Sequence, residues 1–196
     1  DASNYQIMPI GVTFPRSSDD VVAVHEIANR YQLPLLPRGG GSSLAGQAVG
    51  EAIVMDMSRH MRQVKKLDLA VSSVIVEPGM TLGLLNRQLT AQGLMFGPDP
   101  ASAQRATIGG IIGNNASGAH SILYGMTADH VRRLKVVLAS GECVWLDSKT
   151  ESLDTLRTIM GKLATTHQAD IDKRFPKTFR TVAGYALNKI DPSHVD

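Results

Sequence analysis

Ten of the 18 glycines fall in two short windows. Gly39, Gly40, Gly41, Gly46 and Gly50 lie in residues 39–50, and Gly109, Gly110, Gly113, Gly118 and Gly125 lie in residues 109–125. Glycine costs conformational entropy in helices and strands, so a cluster marks backbone that needs positive φ or close approach to something. Two clusters point to two loops facing one ligand; two ordinary turns are the alternative. In the stretch Pro37-Arg38-Gly39-Gly40-Gly41-Ser42-Ser43-Leu44-Ala45-Gly46-Gln47, three successive amides carry no obstructing side chain and can form an anion-binding nest. Ser42 and Ser43 add hydroxyl donors, and Arg38 adds positive charge. A hydrogen bond to a charged acceptor contributes about 1.5–3 kcal/mol, so four or five are enough to hold a diphosphate. The loop is not a Walker A sequence, because no Gly-Lys-Ser/Thr ends it. Nor is it a Rossmann fingerprint, because Leu44 stands where the third glycine belongs.

The second window is Gly97-Pro98-Asp99-Pro100-Ala101-Ser102, then Thr107-Ile108-Gly109-Gly110, then Gly113-Asn114-Asn115-Ala116-Ser117-Gly118 and Tyr124-Gly125. Gly109-Gly110 lets a flat group lie against backbone. Thr107, Asn114, Asn115 and Ser117 can bond the edge of a heterocycle or a ribityl chain. A glycine-rich helix start with asparagine caps accounts for the same residues.

Other reactive residues offer less. The six histidines, among them His25 and His120, show no paired metal-ligand spacing. His25 is expected on a helix surface and His120 in ordinary polar packing just past the second loop. Cys143 sits in an apolar stretch and is expected to be an inert core thiol. Being the single cysteine, it excludes an internal disulfide and a cysteine zinc cluster, and a reducing compartment fits best. The basic groups Arg59, Arg62, Lys65, Lys66 and Arg132, Arg133, Lys135 lack interleaved aromatics and read as solvated faces. Lys+Arg 20 against Asp+Glu 18 gives a net charge of +2, too balanced for a nucleic-acid footprint or a polybasic membrane anchor.

These residues need a scaffold, and the pattern predicts a mixed one. The 196 residues suit one domain or two small ones at roughly 150 residues each. A 43% hydrophobic content supports a buried core. No apolar run approaches the roughly 18 residues of a membrane span. The chain opens on Asp1 rather than Met, so an excised piece is expected. Ser17-Ser18-Asp19-Asp20 is a helix start. Val21, Val24, Ile27, Ala28 and Tyr31 then predict an amphipathic helix over 18–32, stopped by Pro34. Leu35-Leu36 leads into the first loop. Strands are predicted at 52–57 and 73–77, and a helix at 81–92 with Leu82, Leu85 and Leu89 on one face. A short helix is predicted over 107–115. A hairpin is predicted from 134–139 and 143–146 about Ser140-Gly141. A further helix is predicted over 152–167 carrying Leu153, Leu156, Ile159, Met160 and Leu163, followed by polar loop over 168–180. The fold class is α+β, with an N-terminal small α/β part over 1–60 and a second over 61–196.

Both loops, taken together, resemble those of the FAD-binding (PCMH-type) domain of the vanillyl-alcohol oxidase / p-cresol methylhydroxylase superfamily. The most similar branch holds D-lactate dehydrogenases, glycolate oxidase flavin subunits and D-2-hydroxyglutarate dehydrogenases. The resemblance runs from Asp1-Ala2-Ser3 through Pro37–Gln47, Glu77-Pro78-Gly79, Pro98–Ser117, Tyr124-Gly125 and Val136–Gly141 to Ala183–Lys189. It implies two α/β subdomains with the flavin cleft between them, truncated here. It implies cofactor binding by Pro37, Arg38, Gly39, Gly40, Gly41, Ser42, Ser43, Leu44 and Gln47, by Pro78 and Gly79, by Pro98 and Asp99, and by Thr107, Ile108, Gly109, Gly110, Asn114, Asn115 and Gly118. Ser42 and Ser43 stand where members with covalent flavin carry His, so non-covalent FAD is implied.

For the longer parent the resemblance implies oxidation of a D-2-hydroxy acid to the 2-oxo acid by hydride transfer to flavin. The base and any metal ligands would lie outside this chain, so no catalytic or metal residue is expected within it. An external electron acceptor or iron–sulfur module is implied as partner, in the cytoplasm or peripheral to a membrane, with no nucleic acid and no membrane span. The alternative is a non-catalytic nucleotide- or partner-binding module that retains the fold.

Overall fold

The computed structural model describes residues 1–146, 153–180 and 184–190. It divides into two compact units, one holding 1–131 and 136–143, the other 132–135 and the described residues from 144 onward.

In the first unit, β1 (Gly11–Thr13) leads into α1 (Ser18–Tyr31) and back to β2 (Leu35–Arg38). Ser17 caps α1, its side chain accepting from the Asp20 amide, with Asp19 and Asp20 in the first turn. The helix ends where Gln32 turns left-handed at φ 53° and Leu33 N–H bonds the Ala28 carbonyl. Val21 and Ala28 are buried, whereas Ile27 and Tyr31 are exposed. The inward stripe is therefore narrower than the spacing suggested. Strand β3 (Ile53–Asp56) lies between β1 and β2, parallel to both, with Arg38 opposite Asp56. Its Val54 and Met55 are buried, as the middle strand of a parallel sheet requires. β2 and β3 are parallel neighbours joined by the first glycine loop, which leaves the carboxyl end of β2. In open α/β sheets that is where ligands bind.

The rest of the unit is built around a second core. β4 (Val64–Asp68) and β5 (Ser73–Val76) form an antiparallel hairpin with an irregularity at Val64–Lys66. Their Val64, Leu67, Val74 and Val76 pack on α2 (Leu82–Thr90). Leu82, Leu85 and Leu89 are each at most 6% exposed, as the shared face predicts, and each contributes about 1.5–3 kcal/mol by burial. Gly93, at φ 68°, takes the left-handed position after α2. α3 (Ile108–Gly113) starts at Thr107, which pairs antiparallel with Thr81 at the start of α2. Leu82 N–H bonds Ala106 O, and Ile108 N–H bonds Met80 O. These two bonds hold the two helix starts side by side. A short α4 (Ser121–Tyr124) and a 3-10 turn at Thr127–His130 follow.

β6 (Leu134–Val137) and β7 (Cys143–Leu146) pair about a turn with Gly141 at φ 89°. Val144 is buried, and Cys143 is exposed. This corrects the core-thiol expectation: in a strand that buries alternate residues, Val144 takes the inward position and its neighbours face outward. The second unit holds α5 (Asp154–Thr166), α6 (Gln168–Arg174) and a 3-10 turn at Leu187–Lys189. Ser152 at the expected start of α5 lies outside the described residues. Leu153, just before α5, is buried, as are Gly161 and Ala164 within it, while Leu156, Ile159 and Leu163 are exposed. Residues 168–174 are helix, not loop: Ile171 is 4% exposed and supplies the apolar contact, and Asp170 and Arg174 pair one turn apart at 3.1 Å. No described helix is long and apolar enough to cross a membrane.

Candidate functional site

Arg38 closes β2, and the chain then turns across α3. Gly39 and Gly40 come so close to the opposite wall that neither could carry a side chain. A Cβ on Gly39 would overlap Thr107 Oγ1, and one on Gly40 would overlap the Arg105 carbonyl oxygen. Thr107 is 1% exposed, and its hydroxyl caps the Gly110 amide, so that wall cannot yield cheaply. Gly41 at φ 62° and Gly46 at φ 78° carry the loop through left-handed turns. The N-terminal segment lies along the loop. Ala2 N–H bonds Gly41 O at 2.9 Å, and the Tyr5 ring packs on Gly46.

The result is a cleft of about 250 Å³ lined by Pro37 to Ser43, Gln47 and Ala48 on one side. Ser102, Ala106, Thr107, Gly110, Ile111, Asn114 and Ala116 line the other. Thus the two glycine-rich stretches meet in one cleft. The backbone N–H groups of residues 39–43 donate to no group among the described residues and so are open to a ligand. Arg38 Nε is buried and likewise has no acceptor. No aspartate or glutamate lines the cleft. Five consecutive amides and one guanidinium without a competing carboxylate make a receptor for an anion with several oxygens.

Eleven of the sequence-predicted positions line the cleft: Pro37, Arg38, Gly39, Gly40, Gly41, Ser42, Ser43, Gln47, Thr107, Gly110 and Asn114. Nine do not. Leu44 is 76% exposed beside it, and Ile108 is in the core. Gly79 is pressed on the Met57 carbonyl and donates to Met61 O at 2.7 Å; Gly109 donates to Pro78 O at 2.9 Å. Pro78, Gly79 and Gly109 therefore form a tight joint between chain segments. Gly118 lies against the Asp99 carbonyl, with Asp99 at φ 44°, and Ser121 Oγ accepts from Gly118 N–H and donates to the carbonyl of buried Pro98. Asn115, at φ 44°, accepts from Ala128 N–H through Oδ1. At these positions glycine answers to backbone crossing backbone. His120 faces Asp99 at 3.4 Å and Tyr124 edge-on, and His25 Nδ1 lies 3.1 Å from Val21 O.

Ala48, Ser102, Ala106, Ile111 and Ala116 line the cleft without having been singled out. Their signal was faint: three alanines and a serine give a ligand room and no chemistry. Ser43 differs from expectation in one respect, since its hydroxyl donates to Gln47 Oε1 rather than standing open.

A parallel sheet with a glycine loop at a strand's carboxyl end, closed by a second glycine-rich turn, defines a dinucleotide-holding domain. The FAD binding domain family matches residues 9–147, and the chain belongs to that family. Its cofactor is therefore FAD, and the cleft suits one part of it: the unengaged amides and Arg38 fit a diphosphate, and small residues opposite leave room beside it. The chain is 37% identical, over 97% of its length, to D-2-hydroxyglutarate dehydrogenase of Escherichia coli (strain K12), of which it spans 20%. It is 36% identical over 81% of its length to the mitochondrial D-lactate dehydrogenase (cytochrome) of Arabidopsis thaliana, spanning 28% of that protein. To the glycolate oxidase subunit GlcD of Bacillus subtilis (strain 168) it is 35% identical over 71% of its length, spanning 30%. Among solved structures, an alkyldihydroxyacetonephosphate synthase superposes with TM-score 0.62 and 27% identity over 69% of this chain and 26% of that one. The chain thus spans about a fifth to a third of the relatives it matches.

Proposed function

We propose that this chain is the FAD-holding part of a protein that oxidises a D-2-hydroxy acid of the D-lactate, glycolate or D-2-hydroxyglutarate class to the 2-oxo acid. The observation that carries the reading is the row of unengaged amides at residues 39–43 beside Arg38 in an acid-free cleft. FAD, when bound, supplies the hydride acceptor. The chain's own residues bind and orient it. The amides of 39–43 and the Arg38 guanidinium take the diphosphate oxygens, while Thr107, Gly110 and Asn114 form the facing wall. Pro78, Gly79, Ile108 and Gly109, with Pro98, Asp99, Asn115 and Gly118, hold the second stretch in shape behind that wall.

FAD is held non-covalently in this reading, because Ser42 and Ser43 stand where members with covalent flavin carry His. We divide the site between a lobe of residues 1–60 and one of 61–196, which supply the 37–48 and 102–116 walls respectively. At about 250 Å³ the cleft is below the roughly 300–1,000 Å³ of a complete small-molecule site, so it takes the diphosphate and its neighbours rather than a whole dinucleotide. The hydroxy acid, the base and the electron acceptor, an iron–sulfur module or other carrier, belong to the remainder of the longer protein. We place that protein in the cytoplasm or at a membrane surface.

The test uses the full-length protein. Titrated FAD should lose its fluorescence at micromolar protein, and anaerobic D-2-hydroxyglutarate, D-lactate or glycolate should bleach the bound flavin. A protein that takes up no FAD overturns the reading. One that holds FAD unreduced by every hydroxy acid overturns the activity alone.

A further inference from the structure

We propose that Gln47 is a positioning residue: its side chain ties the first glycine loop to the carboxyl end of α3 and so sets the spacing of the two walls that face the diphosphate. This rests on the FAD reading of the cleft for its purpose, not for its geometry. At the start of the loop, Gly39 and Gly40 are located by packing on Thr107 and Arg105. Beyond them the chain passes through left-handed Gly41 and Gly46, with amides 39–43 bonded to nothing described. Packing alone leaves this far half of the loop without a hydrogen bond to the opposite wall. Gln47 supplies one: its Nε2 donates to Asn114 Oδ1 at 3.1 Å, across 67 positions of sequence.

The direction of each bond is fixed from one end. The Gly110 carbonyl can only accept, so Asn114 turns its Nδ2 toward it, at 3.1 Å. Asn114 Oδ1 then faces Gln47, which must present its NH2 group. Gln47 Oε1 is left facing Ser43, whose hydroxyl must donate to it. Ser43 therefore spends its proton on the tether, and Ser42 is the loop hydroxyl left for the anion. Gln47 lines the cleft, and the role assigned to it here runs through this tether.

The experiment compares Gln47→Ala, Asn114→Ala, the double variant and Asn114→Asp in the full-length protein. Without ligand, amide hydrogen exchange is followed in peptides covering 43–49 and 112–116. Each single alanine variant loses the tether and one local bond, and the lost tether should speed exchange in the peptide across the cleft from the substitution by about 3- to 10-fold. The Ser43–Gln47 bond is local to the loop and the Asn114–Gly110 bond local to α3, so in the double variant exchange at 43–49 should match that of Gln47→Ala and exchange at 112–116 should match that of Asn114→Ala. Asn114→Asp keeps the oxygen that accepts from Gln47 and should restore the slow exchange at 43–49. With FAD bound, Gln47→Ala should release flavin faster by a similar factor while the melting temperature of the ligand-free protein stays put. Unchanged exchange at 112–116 in Gln47→Ala, effects that multiply within either peptide in the double variant, or an aspartate that behaves like alanine at 43–49 would each overturn the tether. Should the wild type take up no FAD, the FAD reading falls, and the exchange measurements still decide whether Gln47 joins the loops.

Discussion

Gly40 is the position where a single methyl group separates the two roles of the first loop. Its Cβ would meet the Arg105 carbonyl, which is backbone and cannot swing aside. Gly40→Ala should therefore push the loop off the second wall and cost about 1–3 kcal/mol of stability. It should also weaken FAD binding by more than tenfold, because the amides it displaces are the ones we propose to bond the diphosphate. A thermal melt and a flavin titration read the two effects separately; Gly40→Ala with normal FAD affinity would mean the loop amides do not hold the cofactor. Far from the cleft, Asp20 gives a prediction of the opposite scale. The Arg16 backbone N–H at 2.9 Å, and then its guanidinium at 3.2 Å, hold the Asp20 carboxyl below its ordinary value. A lowered carboxylate stabilises the fold above the unfolded value and loses that contribution as pH falls through the folded one. Asp20→Asn should thus melt slightly below wild type at pH 7, with the gap closing below about pH 4. A gap that persists at pH 2 would assign the loss to packing.

At the scale of elements, what could be read in advance followed from the strength of the local pattern. α2 was written plainly: Leu82, Leu85 and Leu89 at helical spacing, with Gly93 beyond. Leu85→Ala should accordingly cost about 2–5 kcal/mol, visible as an earlier urea midpoint; a cost under 1 kcal/mol would show that this face is not the core of the unit. β1 has three residues, too few for an alternation to show, and exists because β3 offers it a parallel partner. β4 reads Val-Lys-Lys-Leu-Asp, where the two lysines break the period and the irregularity after Val64 absorbs the break. α6 has one buried apolar residue, Ile171, in seven, so tertiary contact rather than pattern makes it a helix. The two loops were visible as composition. Which of their glycines face the cleft was not, because a glycine that admits a ligand and one that admits another stretch of backbone look alike in sequence. Gly40 and Gly79 show this: both are crowded by a carbonyl oxygen, but only Gly40 lines the cleft.

At the scale of the molecule, the proposed site ranks the pieces of the cofactor by what this chain offers each of them. The cleft is bordered by five amides without protein acceptors, by Arg38 and by Ser42, with no acid among the lining residues. A ring or a ribityl chain alone offers these groups no negative charge. Ligands should therefore be ranked by their diphosphate. A ligand that binds only the folded protein raises its stability by about 2.7 kcal/mol at a hundredfold excess over Kd. In thermal melts of the flavin-free full-length protein, FAD should give the largest upward shift. ADP, which keeps the diphosphate and loses the flavin, should give a smaller but measurable one. Riboflavin, which keeps the ring and loses both phosphates, should give none at the same concentration. Arg38→Met should abolish the ADP shift while leaving the flavin-free melting temperature near wild type, since its Nε bonds nothing in the folded chain. If riboflavin stabilised the protein more than ADP did, the flavin ring rather than the diphosphate would dominate recognition. The glycine loop would then be a structural turn that happens to border the cleft.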